Sequence, residues 1–524
     1  MKKTKFYSIY ISLIIALGGF LMGFDASVIS GVIKFVSIEF DLSPGQKGFA
    51  VASLTLTSTL AMMFAGPLSD KFGRKKVLIG AASLFFISAI YSALSPDFLN
   101  LIIARMIGGI GVGAALIVPP MYIAEIAPPQ FRGRLVSFNQ LNIVIGLSVA
   151  FFTNYLILQW GDSGSASAES LNVADNNWRY MLSLEAIPAV LYFIALFFVP
   201  ESPRWLALRG KNEQAVNVLS RFEERAQAEK DLKSLISEDT GDNKLSRLPL
   251  KELFRPAIRY VLTIGVVIAI LQQITGINAV FFYAPIIFEQ TGIGTDASFA
   301  NAVIIGLTNL VFTIVAIMFV DRLGRKPLLI FGLIGITISM FILSGSFKAS
   351  TYSITDQDII ELKLHENYDE FAAIENMNGM QFDNDLTFKK ELAEHIDSAT
   401  IRKYESDILV SAIDINAWMV LFGIIAFVAS FAVSLGPVMW ILFSELFPDR
   451  LRGFAISFVG LINSAVSFSV QQLFPVELAK LGNSLTYFIF GLFAVIGLVF
   501  VILKIPETKG KSFEELEKTL IKNK

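Results

Sequence analysis

The chain has 524 residues, of which 54% are hydrophobic and only 17% charged, and its mean hydropathy is +0.61. Soluble globular proteins carry about 25% charged residues, and here the charges cluster between long apolar runs, which excludes a large soluble core. A net charge of −2 argues against a nucleic-acid partner, and the absence of cysteine removes disulfide and thiol chemistry.

Twelve apolar runs lie near 7–30, 48–69, 77–95, 98–121, 135–158, 180–199, 258–289, 297–319, 328–346, 409–443, 453–476 and 485–505. Most reach the roughly 20 residues a helix needs to cross a hydrocarbon core. Lipid offers the backbone no hydrogen bonds, so the runs are expected to be helices. The first follows Lys2, Lys3 and Lys5. It is longer than a signal-peptide core of about 7–15 residues and lacks a small-residue cleavage site, so it reads as a retained helix. It contains "GFDASVISG", which places Asp25 among lipid-bound residues. A carboxylate at a bilayer centre costs about 2.5–3.5 kcal/mol and usually faces an interior pathway. The fourth run holds Arg105 in "IIARMIGG", the one basic residue placed well inside a membrane run. The two are expected partners, either as a permanent ion pair or as a protonation switch.

Between the second and third runs stands "DKFGRKK" at 70–76. Its glycine permits a tight turn, and Asp70 and Arg74 can pair with charges at neighbouring helix ends. A positive anchor needs no carboxylate, so an ion-pair latch is the better expectation. The fifth run contributes a polar Gln140, and residues 205–255 read as a charged helical linker on the cytoplasmic side. The seventh run contains "LQQITGINAVFFYAP", with Gln272, Gln273 and Asn278. Three buried amides need partners. On a regular helix they do not share a face, but Gly276 and Pro285 allow local unwinding that brings them together. Paired donors and acceptors suit a neutral polyhydroxylated ligand, since each hydroxyl both donates and accepts; helix–helix adhesion is the competing use. Asn309, Asn463 and the ring of Trp440 are further candidates on the eighth, eleventh and tenth runs. The stretch 346–408 holds 14 acidic and 6 basic residues with both histidines, His365 and His395. Its spacing does not fit a metal motif, and it reads as a solvated, helical, accessory excursion.

The chain repeats itself. "DKFGRKK" recurs as "DRLGRKP" at 321–327, Glu125 and Arg132 recur as Glu445 and Arg452, and "PESPR" at 200–204 recurs as "PETKG" at 506–510. Three landmarks in the same order predict two six-helix halves, 1–204 and 256–524, joined by the linker, with 346–408 as an insertion in the second. With the N-terminus inside, the short cytoplasmic segments hold 20 Lys and Arg against 4 in the short outer loops, which puts both termini in the cytoplasm.

The ordered set "DKFGRKK", "PPMYIAEIAPPQFRGRL", "PESPRWL", "QQITGIN", "DRLGRKP", "GPVMWILFSELFP" and "PETKGKS" resembles the sugar porter family of the major facilitator superfamily over nearly the whole chain. The resemblance implies an all-α fold of twelve transmembrane helices in two pseudo-repeats, embedded in the cell (inner) membrane and functional as a monomer. It implies alternating-access transport of a monosaccharide, coupled to a proton because proton-coupled members carry an aspartate at the position of Asp25. It assigns sugar binding to Gln140, Gln272, Gln273, Asn278, Asn309, Trp440 and Asn463. A cytoplasmic ion-pair network falls on Arg74 with Glu125, Arg132 with Asp321, and Glu445 with Arg452, alongside Asp70, Glu201 and Arg325. Phe282 and Ser464 depart from the tyrosine and tryptophan common in the family, so the sugar is left open. A facilitative uniporter and a transporter-like sugar sensor are the alternatives; no enzyme, cofactor or metal is implied.

Overall fold

The computed structural model describes residues 2–126, 132–221, 225–242, 256–364, 367–447 and 449–509. Its frame is a set of long apolar helices. α1 is Lys2–Glu39, α2 Pro44–Phe72, α3 Arg74–Ala93, α4 Phe98–Ile126, α5 Arg132–Gly161 and α6 Asn177–Phe197. α7 runs in three pieces, Pro256–Ile274, Ile277–Phe282 and Ala284–Glu289. α8 is Gly294–Leu323, α9 Arg325–Lys348, and α10 Ala417–Val433 continued by Leu435–Leu446. The final stretch, Asp449–Lys504, spans 56 residues. A straight helix of that length measures about 84 Å at 1.5 Å per residue, far beyond a core of about 30 Å. Gly482, at φ 75° and ψ 170°, breaks it into two helices, α11 and α12.

Local chemistry sets the boundaries. Ser43 and Gln46 form a capping box at the start of α2, with a proline in its first turn. α3 and α9 begin directly after Gly73 and Gly324, whose φ values of 99° and 93° favour glycine. α1 packs on α4 and α5, and α2 and α3 pack on α4. α9 packs on α10 and on the α11–α12 stretch, against which α7 also lies. Between the two sets the main seams are α2 with α11–α12 and α5 with α8. The outward faces remain apolar: Phe64, Leu191 and Phe331 are each more than 60% exposed. In water that surface is unstable; in lipid it is the ordinary exterior.

The segment between α9 and α10 is a small domain with its own core, including Tyr352, Phe371, Phe388, Tyr404 and Ile408. It is helical in the main, but contains a three-stranded antiparallel sheet, so the fold is not wholly α. The strands are β1 Thr351–Ser353, β2 Gln381–Phe382 and β3 Ile413–Asp414, in the order β2-β1-β3. The domain also extends beyond 346–408. α9 continues to Lys348, and Leu409 and Ala412, which read as the start of a membrane run, pack into the domain's core from the helix Ser398–Ala412. His395 lies one turn from Glu391 on the helix Asp385–His395, while His365 lies outside the described residues. In the linker, helices Pro203–Leu208, Asn212–Leu219 and Arg225–Asp242 share a minor core around Leu206, Val216 and Leu232. Its residues 243–255 lie outside the described residues.

Candidate functional site

α7 breaks at Thr275-Gly276, where Gly276 takes φ 90°. A side chain there is excluded twice, by the positive φ and by Phe490, whose ring lies 2.6 Å from the position a Cβ takes. The break turns three amides toward α11. Gln273 Nε2 donates to Gln272 Oε1 at 3.2 Å and to Asn463 Oδ1 at 3.1 Å. Asn463 Nδ2 donates to Gln272 Oε1 at 2.8 Å and to the Ala269 carbonyl at 2.9 Å. Asn278 Nδ2 donates to Gln273 Oε1 at 2.8 Å and to Ser467 Oγ at 2.7 Å. Gln272 Nε2 closes the group on the Leu435 carbonyl at 3.1 Å, at the interruption in α10. Four of the seven expected sugar-binding residues therefore form one network, buried except for the half-buried Asn278. Amides that satisfy one another can exchange those bonds for hydroxyls at little net cost, because each swap replaces a neutral hydrogen bond by another.

The other three stand apart from that network. Asn309 is buried on α8 but makes no hydrogen bond to it. Gln140 on α5 is exposed, and its neighbour Asn139 is the buried one. Trp440 on α10 is 40% exposed and meets Phe443 edge-on, with ring centroids 5.9 Å apart. Sequence reasoning missed the residues that extend this network, Ser467, Gln471 and Thr55. Gln471 Nε2 donates to Ser467 Oγ at 2.8 Å, and Thr55 Oγ1 on α2 donates to Gln471 Oε1 at 2.9 Å. The spacing 463, 467, 471 along one helix is the signal that was available.

Asp25 and Arg105 meet as expected from the sequence, with Arg105 Nη1 3.6 Å from Asp25 Oδ1, and both are almost fully buried. Arg105 Nε donates to the Ala50 carbonyl at 3.1 Å. Asp25 Oδ2 and Arg105 Nη2 have no hydrogen-bond partner among the described residues. A third charged group joins them. Glu185, 1% exposed on α6, interacts electrostatically with both, and its Oε1 also lacks a partner. Glu185 thus stands near the pair as a second buried carboxyl, with no ion pair of its own to Arg105 among the described residues. The lone carboxylate in the sixth apolar run was the sequence signal.

At the opposite end from the inserted domain, the Gly-Arg loops form two matching clusters. Arg74 Nη2 reaches Glu125 Oε1 at 2.8 Å and Arg74 Nη1 reaches Asp70 Oδ1 at 2.9 Å. Arg325 Nη2 reaches Glu445 Oε1 at 2.7 Å. Glu201 Oε1 accepts the Arg74 backbone N–H at 2.9 Å, and Glu507 Oε1 accepts that of Arg325 at 3.1 Å. Each carboxylate caps the start of a helix, where unpaired N–H groups favour negative charge. Ser202 and Thr508 hydroxyls donate to Glu125 and Glu445 at 2.5 and 2.6 Å. The expected pairing of Glu445 with Arg452 is therefore corrected: both Glu445 oxygens take Arg325, and Arg452 Nε donates to the Phe447 carbonyl at 3.4 Å. α10 ends at Leu446 with Phe447 extended, so Arg452 belongs to the next helix, whereas the Gly-Arg loop delivers its guanidinium to Glu445 directly. The pairing of Arg132 with Asp321 lies outside the described residues, because neither side chain is among them.

Residues 11–357 and 404–520 match the family described as "Sugar (and other) transporter". The chain belongs to this family of sugar transporters. Its members move solutes and are not enzymes. The unmatched stretch, 358–403, is most of the inserted domain. The chain is 34% identical to the arabinose-proton symporter of Bacillus subtilis, covering 98% of this chain and 96% of that one. It is 35% identical to the D-xylose-proton symporter of Escherichia coli, with the same coverage. Its fold matches the inward open conformation of the E. coli xylose transporter with a TM-score of 0.73 at 32% identity, over 98% of this chain and 100% of that one.

Proposed function

We propose that this sugar transporter carries a monosaccharide in symport with a proton by alternating access, as a functional monomer in the cell membrane. Both termini face the cytoplasm, the inserted domain lies outside, and α1–α6 and α7–α12 act as two repeat halves. The matching Arg-Glu clusters and helix-capping carboxylates support the two-half reading. Gln272, Gln273, Asn278 and Asn463 hold the sugar on the α7–α11 side, with Gln140, Asn309 and Trp440 completing the site as the halves move. The observation that carries the coupling is the Asp25–Arg105 pair. Protonation of Asp25 releases Arg105, and Glu185 keeps a counter-charge in place during that change. The proton relaxes the pocket from one net negative charge to none, so the halves can rearrange without dragging an unpaired buried charge.

The described state is the one closed on the domain side. Lys34 on α1 meets Glu289 on α7 at 2.6 Å, and Arg402 of the domain pairs with Asp41 at the end of α1. At the other end the described ion pairs stay within one half. The energetics are adequate. One proton moving through about 150 mV releases roughly 3.4 kcal/mol, enough to concentrate a neutral sugar about 300-fold at roughly 1.4 kcal/mol per tenfold. Proteoliposomes given an imposed pH gradient test this with D-xylose and L-arabinose. Uphill uptake that a protonophore abolishes is expected. Sugar equilibration that ignores the gradient identifies a uniporter, and specific binding without any flux identifies a sensor.

A further inference from the structure

We propose that Gln471 is a positioning residue that ties the sugar site to closure of the domain-side face, with Thr55 as its partner on the other half; the sugar part of this rests on the function proposed above. Asn463, Ser467 and Gln471 stand at i, i+4 and i+8 on α11 and so share one helix face. The first belongs to the amide network. Ser467 Oγ accepts from both Asn278 and Gln471, which uses both lone pairs of one oxygen. Gln471 Oε1 in turn accepts the Thr55 hydroxyl of α2. The chain of bonds therefore runs Gln273, Asn278, Ser467, Gln471, Thr55, beginning among the sugar-site amides and ending on the opposite half. The Gln471 carbonyl also accepts the Tyr283 hydroxyl at 3.0 Å, at the second break of α7.

The end of this chain lies along a close approach of α2 and α11. A Cβ on Gly48 runs into the Gln472 carbonyl, and Gln472 Nε2 donates to the Gly45 carbonyl at 2.8 Å. Opening the domain-side face separates these two helices and breaks the Thr55–Gln471 bond. A sugar hydroxyl that draws the Asn278 amide away from Ser467 leaves Gln471 with sole claim on that oxygen. The amide of Gln471 is then held more firmly toward α2. Occupancy and closure are linked through one side chain. Gln471 is 1% exposed, so no water competes for either of its bonds from the surface.

The chain has no cysteine, which allows a single reporter. Ile286→Cys places a thiol in the cleft lined by Lys34, Lys47 and Glu289, between the two halves. Labelling by a maleimide in purified detergent-solubilised protein then measures opening of that face without reference to membrane orientation. Thr55→Val and Gln471→Leu each remove the cross-half bond and are expected to raise the labelling rate about two- to tenfold, the effect of one neutral hydrogen bond. Thr55→Ser keeps the hydroxyl and is expected to label like the parent. Packing alone predicts the reverse, since serine loses the methyl and valine keeps the shape. Unchanged labelling in Thr55→Val and Gln471→Leu overturns the proposal, as does a Thr55→Ser protein that behaves like Thr55→Val. The D-xylose Kd, from equilibrium dialysis, is expected to stay within about threefold of the parent in both bond-deleting variants. Loss of binding in Gln471→Leu makes Gln471 a sugar contact and also overturns the proposal. Failure of the unsubstituted protein to bind D-xylose counts against the sugar reading, and the labelling still judges the closure.

Discussion

Neutralising Asp25 separates coupling from transport. Asp25→Asn keeps the shape of the acid and its capacity to hydrogen-bond, but it cannot take or release a proton. The structure sets the size of the accompanying stability loss. Breaking a buried ion pair by removing one partner costs about 3–5 kcal/mol when the surviving charge has no other counter-ion. In the reading proposed above, the nearby Glu185 carboxyl takes over that role for Arg105. The single variant is therefore expected to lose only on the order of 1–2 kcal/mol, below that range. Glu185→Gln alone is expected to lose a similar amount. The double variant strands Arg105 and is expected to reach the full range of about 3–5 kcal/mol, exceeding the sum of the singles by roughly 1 kcal/mol. Denaturant titration of the four proteins in detergent measures this coupling. In vesicles, Asp25→Asn is expected to bind D-xylose and to exchange it in counterflow, while uphill accumulation under an imposed pH gradient disappears. Full accumulation by the variant refutes the coupling role of Asp25. Strict additivity of the two substitutions refutes the shared-charge argument, and with it the role given to Glu185.

Other substitutions probe other parts of the machine. Gln272→Ala removes the side chain that ties the amide network to the α10 interruption and is expected to weaken D-xylose binding by about 1–3 kcal/mol in a protein that still folds, as measured by equilibrium dialysis. Gly276→Ala forces a Cβ into Phe490 at φ 90° and is expected to cost about 1–3 kcal/mol of stability together with sugar binding, read by melting temperature and dialysis. Gly48→Leu places atoms where the Gln472 carbonyl lies, so the domain-side face is expected to stay open and the Ile286→Cys reporter to label faster. In the inserted domain, burial pushes the Glu405 carboxyl up, but Lys389 and Lys47 outweigh it and hold the pKa at about 2, against an ordinary value of 4.5. A carboxyl lowered on folding stabilises the fold above pH 4.5 and loses that contribution as pH falls toward 2. Glu405→Gln is accordingly expected to lower the melting temperature at pH 7, with a difference that shrinks between pH 4.5 and pH 2; a difference independent of pH contradicts the assignment.

What the sequence disclosed follows from the range of the forces involved. The membrane helices were legible because each is a local excess of apolar residues, and lipid leaves the backbone one way to satisfy itself. Convergence of Gln272, Gln273 and Asn278 was legible because Gly276 sits between them and a glycine at that point permits a break. The edges of the inserted domain were less so. Leu409 and Ala412 are apolar whether they face lipid or a small soluble core, and only the fold of 349–416 decides between the two. The link between Thr55 and Gln471 was harder still to read, since the bond between them joins residues 416 positions apart.

The Arg-Glu clusters show the same limit from the other side. The recurrence of Glu125 and Arg132 as Glu445 and Arg452 identified the right neighbourhoods, and the family resemblance paired Glu125 with Arg74, as in the structure, but gave Glu445 its sequence neighbour Arg452. The partner of Glu445 is Arg325, 120 residues away, placed by the turn at Gly324 and held there by Glu507 at the backbone of the same helix start. Burial acts to raise the Glu507 carboxyl, but the N–H groups of Lys509, Arg325 and Lys326 lower it below its ordinary value, so the cap stays charged at neutral pH. A motif repeated twice in one chain thus encodes a cluster, not a pair: loop glycine, guanidinium, membrane-end carboxylate and capping carboxylate are each half of a contact whose other half lies in a different helix. Repetition in sequence located the parts, and helix packing chose which charges meet.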